Sequence, residues 1–193
     1  MNTLITLAVV VGVFIIILLI VIGLYNSLVR KKIDTENAWA QIDVQLKRRY
    51  DLIPNLVETV KGYASHERET LEGVIQARNQ AVQITSDAAH AAQKAEAENM
   101  LTQALGRLFA LSEAYPDLKA NENFAALQEE LTSTENRLGF ARQHYNDTVA
   151  RYDEARQTFP SNIIAAVFNF EKREYFELEP SSEAREAPKV SFS

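Results

Sequence analysis

The sequence predicts an all-α protein: an N-terminal transmembrane helix continuous with an antiparallel up-down-up-down four-helix bundle. Three observations predict it. Leu4 to Leu24 is a run of 21 residues without a charge, an amide or a proline. As a helix it spans roughly 30 Å, the hydrocarbon thickness of a bilayer, with its backbone satisfied internally. Beyond it, glycine and proline are scarce and apolar residues recur at helical rather than alternating spacing. Finally, Phe124, Leu131, Leu138, Tyr145 and Tyr152 fall every seventh residue, with the mostly smaller Leu127, Thr134, Ala141, Thr148 and Ala155 interleaved, a pattern suited to close antiparallel packing.

Taken in order, the apolar run is read as a retained anchor over 1–24. A cleaved secretory signal has a basic n-region and a small-residue cleavage site, whereas Met1, Asn2 and Thr3 alone precede the run and no A-x-A site follows it. With no cysteine in the chain there is no lipobox, disulfide, thiolate zinc site or thiol nucleophile. Arg30, Lys31 and Lys32 follow the run and no Lys or Arg precedes it, so the positive-inside tendency puts the C-terminal domain in the cytoplasm.

The bundle is expected over 25–158. Trp39, Ile42, Leu46, Tyr50 and Ile53 give its first helix one apolar face, and Pro54 is expected to end or kink that helix, with Asp51 as N-cap of the next. A second helix then runs to about Ile84, bent or split near Gly62. Thr85-Ser86-Asp87 offers caps for a third helix, Tyr115-Pro116-Asp117 is a turn, and Phe159-Pro160 stops the fourth helix. If the first helix leaves the membrane, the fourth returns toward it. The segment 159–179 therefore starts near the bilayer, and Ile163, Ile164, Val167, Phe168 and Phe170 form either an interfacial helix or a plug over the open end of the bundle. The last residues, 180–193, have the composition of a disordered tail.

Chemistry has no visible seat. There is no Glu-x-x-His pair, no H-x-x-x-H, no P-loop, no G-x-S-x-G and no dinucleotide fingerprint, so no catalytic, metal or cofactor residue is nominated. A net charge of -6 without an Arg/Lys stripe argues against nucleic acid. Two polar clusters stand out. Arg48, Arg49, Asp51 and Asn55 meet at the expected helix break, either as a corner paired with neighbouring carboxylates or as a docking patch for a partner or sister subunit. Glu135, Asn136 and Arg142 lie beside the apolar row of the last helix, where charges reach across to fix register or subunit contacts.

The stretch Tyr25-Asn26-Ser27-Leu28-Val29, then Glu36 to Ala64 with Trp39 and Leu52-Ile53-Pro54-Asn55, then His66-Glu67, resembles the signature of the LemA family of bacterial membrane proteins. Tyr115-Pro116-Asp117-Leu118-Lys119-Ala120-Asn121, Thr134-Glu135-Asn136-Arg137, Ala141-Arg142, Tyr145-Asn146 and Phe159-Pro160-Ser161 resemble it in the same order. The resemblance implies a single anchor, a helical bundle and a bacterial cytoplasmic membrane, and no agreed biochemical activity. It also implies links to membrane organisation and to neighbours such as TPM-domain proteins and membrane metalloproteases. Some members resemble lipoproteins with the bundle outside, which leaves the opposite side of the membrane open. The reading is a non-enzymatic scaffold that binds the bilayer and self-associates. Its rivals are a monomeric adaptor or substrate-presenter for a membrane protease, and a metal carrier or enzyme with a site inside the bundle.

Overall fold

The computed structural model describes residues 2–177, so the tail expected over 180–193 lies outside the described residues. Helix α1, Asn2–Lys61, is 60 residues long, about 90 Å at ~1.5 Å per residue. Among the described residues its first third is the one stretch of helix long and apolar enough to cross a membrane, and nearly all its Leu, Ile, Val and Phe side chains are exposed. Without a break it then becomes the spine of the folded half, where Ala38, Trp39, Ile42, Leu46, Ile53, Leu56 and Val60 are buried.

Pro54 does not end this helix. It lies inside α1, so Asp51 caps nothing and stands exposed in mid-helix. A proline there removes the hydrogen bond that its N–H would donate to the carbonyl four residues back, which is that of Tyr50. Arg78 supplies the missing donor: its Nε donates to the Tyr50 carbonyl at 2.8 Å. The break falls instead at Gly62–Glu67, where Tyr63 and Ala64 N–H both donate to the Val60 carbonyl, at 3.0 and 2.8 Å.

The expected second helix is therefore only α2, Arg68–Gln83, buried along Leu71, Val74, Ala77 and Ala81. The next turn is held by Asp87, whose carboxylate accepts from the N–H of Ala89 and His90 at 2.9 and 3.0 Å. Helix α3, Ala91–Ser112, follows. Tyr115-Pro116-Asp117 opens a single helical turn, α4, Pro116–Lys119. Asn121 then caps α5, Glu122–Gln157, accepting from Phe124 N–H at 2.9 Å. The whole seventh-residue row of α5 is buried, and the hydroxyls of Thr134 and Thr148 are satisfied on the carbonyls of Glu130 and Tyr145.

Pairings fix the directions. Trp39 packs edge-on to Tyr145 at 5.2 Å, and Arg48 reaches Glu130 further along, so α5 runs antiparallel to α1. Ser86 donates to Asp43 while Arg78 reaches Tyr50, so α2 descends along α1 as well. The α2–α3 hairpin thus covers the distal part of the α1–α5 pair. Nearer the apolar run, a different device takes over. Helix α6, Ser161–Val167, packs Ile164 and Ala165 on Leu28, with Val21 and Leu24 alongside. The chain then turns back up the rod as an extended strap. Tyr152 and Tyr145 hydroxyls donate to the carbonyls of Glu171 and Glu174, both at 2.8 Å. Asn146 exchanges two hydrogen bonds with the backbone of Phe176, whose ring is buried 5.7 Å from Trp39. The end of the segment expected to be membrane-proximal over 159–179 is, up to Phe176, part of the bundle core instead, because that ring fills the slot just below the hairpin.

Candidate functional site

The densest polar chemistry lies between the helices of the bundle. On α3 the buried positions Ala91, Lys94, Glu98, Leu101, Leu105, Leu108 and Ser112 alternate by three and four residues, the seam spacing of a coiled coil, and two of them are charged. Glu98 accepts from Arg49 at 2.9 Å and from the hydroxyl of Tyr50. Arg49 also donates to Thr102 at 2.8 Å and pairs with Glu135 of α5 at 3.2 Å, so one guanidinium ties three helices. Lys94 donates to the carbonyls of Ala81 and Ile84 at 2.8 and 3.2 Å, capping the C-terminus of α2, and its ammonium lies 5.3 Å from the centre of the Tyr50 ring.

Two cations, Arg49 and Lys94, face two carboxylates, Glu98 and Glu135, so the cluster is neutral. Burial pushes the Glu98 carboxyl above its ordinary range and Arg49 pulls back against it. Burial likewise lowers Lys94 and, with Glu98 beside it, raises the Tyr50 phenol far above the usual range. Every group in this set has a partner, which is the condition under which buried charge is tolerated. A fully partnered network of this kind, buried at Arg49, Lys94 and Glu98 and reaching solvent at Thr102 and Glu135, can specify register. A groove of about 870 Å³ lies elsewhere, between Lys61 and the Gln- and Asn-rich outer side of α2. Among the described residues no set of three or more His, Asp or Glu side chains is arranged to hold a metal.

The nominated residues separate into two groups. Arg49, with 4% of its side chain exposed, is not available for docking a partner, because Glu98, Thr102 and Glu135 enclose it. Glu135 pairs with it while 42% of its own side chain stays exposed, and half-buried Arg142 is held below its ordinary pKa by desolvation, with Glu135 opposing. Arg48, by contrast, is an exposed partner of Glu130, and Asp51, Asn55 and Asn136 face solvent. Lys94, Glu98 and Arg78 were not nominated from the sequence. The signal for the first two was present as charges on seam positions of an alanine-rich helix; for Arg78, nothing local marks it.

Two apolar surfaces remain uncovered. Phe140 is 75% and Val44 62% exposed on the side of the α1–α5 pair away from the hairpin. Phe140 forms a ridge between two shallow grooves. One of about 610 Å³ runs along Ala40, Val44, Arg137 and His144, and one of about 580 Å³ along Gln128, Thr132 and Asn136. The second surface is on α6. Ile163, Val167 and Phe168 point outward, whereas Ile164 is buried on protein and Phe170 is half-buried beside Tyr25 at 5.7 Å.

A membrane-length apolar helix that runs unbroken into an antiparallel helical rod, with Arg49, Lys94 and Glu98 paired between its helices, defines a class of anchored helical-rod proteins. The chain belongs to the LemA family, whose model matches residues 38–192. It is similar to magnetosome protein MamQ 2 of Paramagnetospirillum magneticum, 23% identical over 82% of this chain and 66% of that protein. MamQ of Magnetospirillum gryphiswaldense matches to the same extent. Protein LemA of Metamycoplasma hominis is 26% identical over 75% of this chain and 64% of its own length. The chain thus spans just under two thirds of the curated relatives it matches.

Proposed function

We propose that this chain is a non-enzymatic, single-pass scaffold of a bacterial cytoplasmic membrane whose rods associate side by side through the outer α1–α5 face. The observation that carries the reading is the Phe140 ridge with a groove on either side of it. Anchors in one bilayer hold all copies upright at one height, so the ridge of one copy meets a groove of its neighbour at the same level. Arg48, Asp51, Asn55 and Asn136 are exposed polar contacts available to such a neighbour or to another membrane protein. Arg49, Glu135 and Arg142 act one step back, by fixing the register of the helices that present the face. Arg30, Lys31 and Lys32 favour a cytoplasmic rod. That relatives are named magnetosome proteins is in keeping with an organising role.

The test is mass by light scattering on the full chain, extracted with its own lipid, together with circular dichroism. The parent is expected to run as a multimer. Phe140→Glu and Val44→Glu are expected to reduce it to single chains at unchanged helicity, and Arg48→Glu to weaken it partially. A parent that is already a single chain overturns self-association and leaves the adaptor reading in its place.

A further inference from the structure

We infer that α6 is a wedge that lies in the bilayer surface, its outward face dipping into the leaflet from which α1 emerges. The inference rests on the anchoring part of the function proposed above and not on self-association. It stands on depth. The inner face of α6, Ile164 and Ala165, is fixed on Leu28, with Val21 and Leu24 in the same cluster. Val21 and Leu24 belong to the last turn of the 21-residue apolar run, so any bilayer that accommodates that run ends at the level of α6. Cations begin at Arg30, six residues past Leu24, about 9 Å further along the helix axis, the spacing of a phosphate layer above the acyl boundary. The other groups at this height have the character of such a boundary. Tyr25 packs edge-on against Phe168 at 4.9 Å and Phe170 at 5.7 Å. Behind them a cleft of about 550 Å³ mixes these rings with Val29, Lys32 and Arg173.

The outward side of the segment is apolar: Phe159 is 75%, Ile163 53%, Val167 71% and Phe168 52% exposed, with Asn162 and Asn169 exposed at the two ends of α6. On a rod in water these four would be an unexplained patch. Continuous with the apolar surface of the span, they meet hydrocarbon instead, on one flank of α1 alone. Interfacial helices of this kind sit about 5–10 Å into the headgroup and acyl boundary.

The experiment places a tryptophan on that face. Full-length Val167→Trp, Ile163→Trp and, as a control high on the rod and away from the Phe140 face, Met100→Trp at a position 43% exposed on α3 are reconstituted in phosphatidylcholine vesicles, floated on a density gradient and titrated with brominated lipid. Trp39, 5% exposed in the core, gives the same background in all. The two α6 variants are expected to float with the vesicles and to emit at shorter wavelength than the control. Bromines near the headgroup end of the acyl chain should quench them more than bromines at its tail. Protein that floats but shows no quenching beyond the control overturns the wedge and leaves the anchor standing. Protein that does not float overturns both.

Discussion

The distal and the membrane-facing parts of the rod are held by opposite means. Around Arg49 the α1–α5 pair is closed by a helical hairpin whose contact with it is partly ionic, and the charges cancel within the cluster. Around Trp39 the same pair is closed by an extended strap that buries aromatic rings and uses tyrosine hydroxyls to hold its backbone carbonyls. The distal arrangement is intolerant of a lost partner, since a buried charge cannot be left alone. The proximal one depends on a plug, Phe176, close to the end of the described chain. Specificity is therefore concentrated at one end and shape-filling at the other.

The largest effect that breaks this contrast is expected from Glu98→Ala. It removes the buried partner of Arg49, leaving the guanidinium to Thr102 and the part-exposed Glu135, and orphans the Tyr50 hydroxyl, at a cost of about 3–5 kcal/mol, read by urea unfolding of the full chain in detergent. Replacing both Arg49 and Glu98 with leucine is expected to recover part of that loss, and a double variant as unstable as the single one would show that the ion pair itself carries the stability. Next, Phe176→Ala empties the proximal slot at about 3 kcal/mol. Because the strap is the last described element, the loss should appear as amide exchange confined to 168–176 and the rings it covers. Uniform loss across α2 and α3 would erase the distinction between the two parts.

A smaller effect is set by pH. The buried Tyr145 phenol is pushed up to about 12, against 10.0 when exposed. Between these values the unfolded chain has lost a proton that the folded one keeps, so stability falls as pH rises through that window, by about 2–3 kcal/mol at most. Tyr145→Phe should flatten this slope in unfolding curves taken from pH 9 to 12, and an unchanged slope rules out the assignment. The smallest effect expected is that of Arg78→Leu, about 1–2 kcal/mol for an orphaned carbonyl at Tyr50. Pro54→Ala restores the backbone donor, so the double variant should regain what the single one lost. If it does not, Arg78 acts through packing alone.

These particulars show why the sequence was legible where it was. The apolar run and the seventh-residue row of α5 are signals repeated over many residues, and the structure buries or exposes them as their periodicity demands. Pro54 misled because its repair comes from Arg78, 24 positions along the chain and invisible to any local rule. The split at Gly62 was anticipated, because glycine followed by Ser65-His66-Glu67 is a local weakness. Of the buried network, Arg49 and Glu135 were nominated while Lys94 and Glu98 were passed over. Their seam spacing is plain, but alanines around them give a weak apolar stripe against which to notice a charge. The strap escaped for a different reason: an extended segment packed by its backbone carbonyls has no period to read.

One consequence follows from the unbroken path of α1. A helix that carries no hinge between lipid and bundle makes the anchor and the rod one lever. The part beyond Leu24 is 37 residues long, about 55 Å, so a lean of some ten degrees imposed on the span by a change in bilayer thickness would swing the far tip by about 10 Å. On that geometry a tilt of the span would be read out as a displacement of the Gly62 turn.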